Sequence, residues 1–191
     1  MKIIYLNGAS SSGKTSISRE LQNILPEYYL VIGIDIMIYM MPERTNNFSE
    51  PAEPDGFTWQ NVTLKDGTPG MRVVSGKFGK KINHSYHSVV QTLLSAGHNL
   101  IIDDVAEGIS DVQIWIDELE NHSFCTVGVF CSLEELQRRE VARKDRKVGS
   151  AAEQFYRVHE GVEYNVKVHS DVMTAKECAQ QIANHSFLNS T

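Results

Sequence analysis

The octapeptide GASSSGKT at residues 8–15 most constrains how this chain can fold. It follows an apolar run at residues 2–6, which predicts a short buried strand. It precedes residues 14–25, whose apolar side chains recur at helical spacing until Pro26 ends the pattern. A glycine-rich loop between a strand and a helix is far more specific than the same letters in isolation, so the segment is interpreted as a P-loop.

A P-loop binds the phosphates of a nucleotide largely through its backbone. Gly8 and Gly13 permit the tight approach that lets successive N–H groups point at one anion, and the N-terminus of the helix adds further donors. Lys14 brings a positive charge to the outer phosphates, and the Thr15 hydroxyl can ligate Mg²⁺. The predicted nucleotide-binding set is Gly8, Ser10, Ser11, Ser12, Gly13, Lys14, Thr15 and Ser16.

Five apolar runs along the chain alternate with helical patterns. Such runs, with little polar alternation, predict a parallel sheet that is covered by helices on both faces. The predicted fold is therefore a three-layer α/β/α P-loop kinase fold with strands at residues 2–6, 29–34, 99–105, 126–131 and 163–168. Capping-box patterns predict three helix starts, at Ser110 with Gln113, Ser132 with Glu135, and Thr174 with Glu177.

Residues 43–80 break this pattern, because they are rich in proline and glycine and show no helical period. A long irregular segment in a compact domain is usually a functional loop or lid. Within it, residues 59–64 and 71–74 flank a turn at residues 65–67 and predict a β-hairpin. Helical periodicity returns at residue 82 and ends at Gly97, a typical helix C-cap.

The composition is that of one soluble globular domain, with 191 residues, 41% of them hydrophobic, and a formal net charge of −6. The acidic balance argues against non-specific binding to nucleic acid or to an anionic membrane surface. No signal peptide is recognisable and no apolar run approaches the ~20 residues that span a bilayer, so we expect a cytoplasmic location. Three cysteines, an odd count, predict buried side chains rather than disulfides or a zinc site.

The apolar run at residues 99–105 contains Asp103 and Asp104 near its end. In P-loop proteins a carboxylate after a neighbouring strand holds the Mg²⁺, directly or through water. Two aspartates after an apolar run are a weak signal alone, since they can also end a strand in solvent. Together with the upstream P-loop they predict a metal site made by Thr15, Asp103 and Asp104.

A basic segment lies between the fourth and fifth predicted strands, and it favours a phosphotransferase over a GTPase switch. A switch is expected to carry an NKxD element and a DxxG sequence, and the chain has neither. Arginines at this position can neutralise charge on a transferring phosphoryl group. The alternative is a solvated helix face with charge pairs such as Glu135 with Arg139. We interpret residues 138–150 as a nucleotide lid with Arg138, Arg139, Arg143, Lys144, Arg146 and Lys147.

Asp35 follows the predicted strand at residues 29–34, at the carboxyl edge of the sheet, where α/β proteins bind ligands. A carboxylate there can accept the proton of a hydroxyl that attacks a phosphoryl group. Asp35 is therefore predicted as a general base. Its bulky neighbours suit a pocket for a partly apolar acceptor and suit a plain core equally well; they are Met37, Tyr39, Met40 and Met41.

Several stretches together resemble the chloramphenicol phosphotransferase family of small P-loop kinases. The resemblance runs from residue 1 to about residue 183 and is interrupted by residues 43–80. The P-loop stretch is generic, whereas the GID…MP, ARxDR and HEGVEY elements are particular to the family. The stretches are IIYLNGASSSGKTSI, VIGIDIMIYMMP, LIIDDV, RREVARKDRKVGSA and YRVHEGVEYNVKV.

The resemblance implies a nucleoside-kinase-like fold and ATP-dependent phosphorylation of a small-molecule hydroxyl, with ATP and Mg²⁺ as cofactors. By position it implies that Lys14 and Thr15 hold phosphates and Mg²⁺ and that Asp35 is the general base. It also implies lid arginines near ATP, namely Arg139, Arg143 and Arg146. His159, Glu160 and Tyr164 match the family by position, and their chemistry does not follow from the sequence.

The acceptor is left open, because residues 43–80 are longer than expected for the family and lie where the acceptor pocket closes. An antibiotic, a metabolite, a nucleoside or a sugar-nucleotide would each fit. Two other functions stay open: a nucleotide or nucleoside kinase, and a regulatory nucleotide-binding protein without an acceptor. The predicted organisation is one kinase domain over residues 1–191, with an acceptor-side insert or lid at 43–80 and the nucleotide lid at 138–150; no oligomeric state is predicted.

Overall fold

A computed structural model of the chain describes residues 1–46, 52–143 and 148–185. The elements follow in the order β1 (Lys2–Asn7), α1 (Lys14–Ile24), β2 (Tyr29–Gly33), α2 (Ile34–Tyr39), β3 (Phe57–Thr63), β4 (Pro69–Ser75), α3 (Lys77–Ser95), β5 (Asn99–Asp104), α4 (Ile109–Leu119), β6 (Ser123–Phe130), α5 (Leu133–Ala142), α6 (Ser150–Phe155), β7 (Val166–His169) and α7 (Ala175–Ala183). A single 3₁₀ turn, Glu43–Thr45, follows α2.

Five of these strands form one parallel sheet in the order β2-β5-β1-β6-β7, which confirms the predicted sheet. The last strand begins at Val166 rather than at residue 163. The central strand β1 pairs with β5 on one side and with β6 on the other, so that Asn7 lies beside Asp104 and Gly33 of β2 lies beside Asp103. The segments that follow these strands therefore meet at one edge of the sheet.

Helices cover both faces of the sheet, as the apolar strands require. Ile4 and Leu6 of β1 pack with α1 and α7 on one face. Ile3 and Tyr5 of the same strand pack with α3 and α4 on the other. Because side chains alternate along a strand, these four residues of β1 divide between two cores, and the three-layer architecture is confirmed.

The segment from residue 43 to residue 80 contains the predicted hairpin. Strands β3 and β4 pair antiparallel, with Trp59 opposite Val73, around a turn in which Gly67 has φ +83°. The segment is less irregular than predicted, because α3 begins at Lys77 instead of residue 82. Gly97 follows α3 with φ +91°, as a helix C-cap requires.

Only one of the three predicted capping boxes forms. Thr174 accepts a hydrogen bond from the Glu177 N–H while Glu177 accepts one from the Thr174 N–H. Ser132 occupies the N-cap of α5 without a side-chain capping bond. Ser110 was predicted wrongly: α4 begins after Gly108, whose φ of +78° turns the chain into the helix.

The three cysteines, Cys125, Cys131 and Cys178, are free and buried, as predicted. Burial raises the pKa of the Cys125 thiol to about 11, which makes it unreactive near neutral pH. Within the described ranges, no helix is both long and apolar enough to cross a bilayer.

Candidate active site

The loop between β1 and α1 has the backbone of a phosphate cradle. Gly13 has φ +90°, a left-handed conformation that side chains disfavour. A Cβ on Gly8 would lie 2.5 Å from the carbonyl oxygen of Val129, so only glycine lets the loop pass this close to β6. The two glycines of the motif are thus required for different reasons, one by conformation and one by space.

The side chains of this loop turn into the cradle. Lys14 is 6% exposed, and its ammonium group donates hydrogen bonds to the carbonyl oxygens of Gly8 (2.8 Å) and Ala9 (3.0 Å). The hydroxyls of Ser11 and Ser12 are buried and have no hydrogen-bond partner among the described residues. Buried unpaired hydroxyls beside a buried ammonium fit a phosphate group, which accepts several hydrogen bonds at once.

Thr15 and Asp103 form the second part of the site. The Thr15 hydroxyl donates to the Asp103 carboxylate at 2.8 Å, and the Lys14 ammonium lies 3.8 Å from the same carboxylate. In the described part of the chain, no group of three or more His, Cys, Asp or Glu side chains could hold a metal by itself. A hydroxyl and a carboxylate next to a phosphate cradle nevertheless fit Mg²⁺, which keeps several waters and uses few protein ligands.

Asp104 makes different contacts from Asp103. Its carboxylate accepts hydrogen bonds from the Tyr5 hydroxyl and the Trp115 indole N–H, both at 2.9 Å, and from the Val105 N–H. Burial raises the pKa of the Asp104 carboxyl, while these hydrogen bonds and the charge of Lys14 oppose the shift. Of the two aspartates among the three predicted metal ligands, the structure brings only Asp103 into hydrogen-bond contact with Thr15.

Asp35 lies on the same cleft as the cradle. Strand β2 ends at Gly33, so Asp35 is in the first turn of α2 rather than at a strand end, and its side chain is exposed. The cleft has a volume of about 1830 Å³. Its lining includes Lys14, Thr15, Asp35 and Asp103, together with Ser10, Ser11, Gly13 and Ser16 of the cradle.

The lid arginines differ in what they contact. Arg139 donates to the carbonyl oxygens of Ser11 (3.4 Å) and Ser170 (2.7 Å), and it also pairs with Glu135 at 2.6 Å. It thus reaches the cradle and forms the predicted helix-face pair at the same time. Arg143, exposed at the end of α5, lines the cleft. Arg146, Lys144 and Lys147 lie outside the described residues.

Sequence reasoning missed a charged cluster on the other wall of the cleft. Glu153 of α6, with 2% of its side chain exposed, binds Arg157 at 2.7 Å and Arg72 of the hairpin at 2.6 Å. Its neighbour Gln154 accepts a hydrogen bond from the Ser10 N–H in the cradle at 2.6 Å. Side chains therefore connect the hairpin and the cradle to the segment that begins with α6. Only the Glu153–Arg157 pair has a spacing, four residues, that could have been noticed in the sequence.

The HEGVEY element has a positioning role. The Tyr164 hydroxyl lies 2.7 Å from Nδ1 of His159 and accepts a hydrogen bond from the side chain of Asn7 at 2.8 Å. The His159 ring stacks on Phe130 at 4.0 Å between centroids. Asn7 directly precedes the cradle, so this network fixes the start of the loop. Burial, and then the charge of Lys14, lower the pKa of His159 to about 4.

Glu160 of the same element lies elsewhere. It is exposed, and its carboxylate pairs with Lys65 in the hairpin turn at 3.2 Å. It therefore contributes to the contact between the hairpin and the segment after the lid, together with the Tyr156 hydroxyl, which donates to Asp66 at 2.8 Å.

The sheet order, the cradle and the Thr15–Asp103 contact define a P-loop kinase fold, and solved structures agree. A gluconokinase from Sinorhizobium meliloti 1021 superposes with a TM-score of 0.60 at 15% identity, covering 98% of this chain and 91% of that chain. A tunicamycin resistance protein from Deinococcus radiodurans has a TM-score of 0.60 at 15% identity, with coverages of 95% and 93%. At these identities the likeness concerns the fold alone.

Sequence comparison gives the family. The family described as chloramphenicol phosphotransferase-like protein matches residues 1–187. A provisionally named O-phosphotransferase from Mycobacterium tuberculosis (strain ATCC 25618 / H37Rv) is 30% identical over 184 residues, which is 95% of this chain and 80% of that protein. The chain belongs to the chloramphenicol phosphotransferase-like family, as the motifs predict, and is a kinase-type phosphotransferase.

Proposed function

We propose that the protein transfers the γ-phosphoryl group of ATP, with Mg²⁺, to a hydroxyl group of a small molecule. The observation that carries this proposal is the shared cleft: Asp35 lines the same cavity as Lys14, Thr15 and Asp103. A carboxylate on the acceptor side and a phosphate cradle on the donor side are the two halves of such a transfer.

In this proposal each side chain has one task. The cradle N–H groups, the Ser11 and Ser12 hydroxyls and Lys14 hold the donor phosphates. Thr15 and Asp103 would hold Mg²⁺, directly or through water, and the bound ion neutralises charge on the outer phosphates. Asp104, the next residue of β5, would hold the end of the strand in place through its hydrogen bonds with Tyr5 and Trp115, and so help to position Asp103.

The acceptor side completes the reaction. Asp35 accepts the proton of the acceptor hydroxyl, whose oxygen forms a bond to the γ-phosphorus while the bond to the β-phosphate oxygen breaks and ADP leaves. Arg139 and Arg143 neutralise charge on the transferring group from the lid at residues 138–150. We assign Arg146 the same task on its sequence position alone. The hairpin within residues 43–80 forms the acceptor-side wall.

The test compares Asp35→Asn with the unaltered protein on a panel of acceptors. Coupled ADP release is measured with chloramphenicol, tunicamycin and D-gluconate, which the family and two structural neighbours suggest, and with adenosine, which tests the nucleoside-kinase alternative. Acceptor-dependent ADP release that Asp35→Asn abolishes, while ATP still raises the melting temperature of the variant, is the expected result. Undiminished turnover by Asp35→Asn would overturn the assignment of the base.

Two other outcomes decide between the remaining functions. Release stimulated by adenosine alone would favour a nucleoside kinase. No stimulation by any compound, together with ATP-dependent capture of a protein partner, would favour a regulatory nucleotide-binding protein.

A further inference from the structure

Tyr86 of α3 carries a polar group that packing does not explain. The residue is 3% exposed, and its hydroxyl has no hydrogen-bond partner among the described residues. Its ring packs edge-on against Trp115, with centroids 5.4 Å apart. Burying a hydroxyl without a partner opposes folding, so phenylalanine would satisfy the packing at lower cost. Most buried polar side-chain atoms have a hydrogen-bond partner, so the exception at Tyr86 requires an explanation, which its position in the fold supplies.

The surroundings of Tyr86 place it at the active site. The residue lines the cleft that also contains Asp35, Thr15 and Asp103. Burial raises the pKa of its hydroxyl well above the ordinary value, and the nearby carboxylates of Asp104, Asp103 and Asp35 raise it further. The phenol therefore keeps its proton and is a hydrogen-bond donor that none of these carboxylates engages.

The other residues that line this cleft indicate which ligand Tyr86 serves. The hairpin residues Phe57, Trp59 and Val74 line the same cleft, as do Ile34 and Ile38 of α2. These apolar side chains lie on the elements assigned to the acceptor side, whereas the phosphate-binding donors lie on the loop after β1. Polar residues of the hairpin and α3 line the cleft as well, among them Gln60, Ser75 and Asn83. Small-molecule pockets combine apolar walls with a few placed polar groups that fix the orientation of the ligand.

We propose that Tyr86 is an acceptor-binding residue, whose hydroxyl donates a hydrogen bond to an oxygen atom of the acceptor and so orients that molecule against Asp35. The assignment rests on the proposed function, because it requires a small-molecule acceptor in this cleft. It names a donor on α3 for the acceptor pocket, in addition to the base on α2.

Tyr86→Phe tests the assignment, because it removes the hydroxyl and keeps the ring against Trp115. Tyr29→Phe is a matched control: Tyr29 is 4% exposed, its hydroxyl also lacks a partner among the described residues, and it packs in the core on the opposite face of the sheet, away from the cleft lining. Steady-state kinetics are measured with chloramphenicol, tunicamycin, D-gluconate and adenosine, and melting temperatures with and without MgATP.

The expected result is a fall of about tenfold in kcat/KM for the acceptor in Tyr86→Phe, seen mainly as a higher acceptor KM, with the KM for ATP within about twofold of the unaltered protein. Tyr29→Phe leaves both constants unchanged. Unaltered acceptor kinetics in Tyr86→Phe would overturn the assignment. A changed Mg²⁺ requirement or a lost MgATP-induced melting shift would also overturn it, since the hydroxyl would then serve the donor side.

The two proposals fail in different ways. If Asp35→Asn abolishes transfer and Tyr86→Phe is silent, only the role of Tyr86 is wrong. If no compound stimulates ADP release and ATP promotes capture of a protein partner, the proposed function is overturned and the Tyr86 assignment with it.

Discussion

The Thr15 hydroxyl donates a 2.8 Å hydrogen bond to the Asp103 carboxylate, joining residues that are 88 positions apart in the chain. The contact exists because β1 and β5 are neighbours in the sheet, with Leu6 beside Asp103. It places a hydroxyl and a carboxylate at the mouth of the phosphate cradle, where Mg²⁺ would bind.

Asp103 and Asp104 are expected to respond differently to the same change. Asp103→Asn should lower kcat by 100-fold or more and raise the Mg²⁺ concentration needed for half-maximal activity, because it removes the charge of the proposed Mg²⁺ ligand. Asp104→Asn should mainly lower the free energy of unfolding, by about 1–3 kcal/mol, since it disrupts a buried hydrogen-bond network. Equal losses of activity at matched stability would contradict this division.

The hairpin is expected to depend on Glu153 for its rigidity. Arg72→Met should speed amide hydrogen exchange in β4, because it removes the ion pair between the hairpin and a carboxylate of α6 that is 2% exposed. Lys65→Met is the matched control: its pair with Glu160 is mostly exposed and contributes little. Equal exchange rates in the two variants would show that the main-chain bond from Met71 to Gly149 suffices.

Two helix caps with the same sequence pattern are expected to differ in strength. Thr174→Ala should lower the free energy of unfolding by about 1 kcal/mol, because it removes the capping bond at the start of α7. Ser132→Ala should change it by less than about 0.5 kcal/mol, since Ser132 makes no such bond. Urea denaturation at unchanged m-value measures both, and a larger effect at Ser132 would refute the comparison.

Stability is expected to fall as the pH is lowered below 6.5, in part because of His159. Its pKa is lowered to about 4 in the folded protein, so between pH 6.5 and pH 4 the unfolded chain binds a proton that the folded chain does not. Allowing for solvent screening of the partly exposed ring, the loss between pH 7 and pH 5 is about 1 kcal/mol.

His159→Gln should remove that part of the pH dependence. The measurement compares urea midpoints of the unaltered protein and the variant at pH 7 and pH 5, so that the titration of other groups cancels. An identical pH dependence in both proteins would mean that His159 does not contribute.

The features that could be predicted from the sequence are those that a local pattern of residues determines. The cradle depends on residues 8–15 alone, and the parallel sheet follows from apolar runs that need no knowledge of their neighbours. Alternation along β5 would also have separated Asp103 from Asp104, because successive side chains of a strand point to opposite faces. That inference needed only the strand assignment.

The rest depends on packing between distant segments. Arg72 and Glu153 are 81 residues apart, and no spacing rule links them. Tyr86 belongs to an apolar stripe on α3 that predicts a core position, and only the fold shows that the residue also lines the cleft. The apolar run at residues 29–34 predicts Asp35 at a strand end, whereas the pairing of β2 stops one residue earlier, at Gly33, and Asp35 belongs to α2.

The hairpin enters the chain as one uninterrupted stretch, β3 to β4, and contributes nothing to the cradle or to the Thr15–Asp103 contact. A lineage could therefore exchange this stretch as a unit and inherit the phosphate-handling parts unaltered. A replacement would still have to contact the residues that the hairpin now binds, which are Glu153, Tyr156 and Glu160. Under the proposed function, such an exchange would alter the acceptor-side wall and leave the donor side of the cleft as it is.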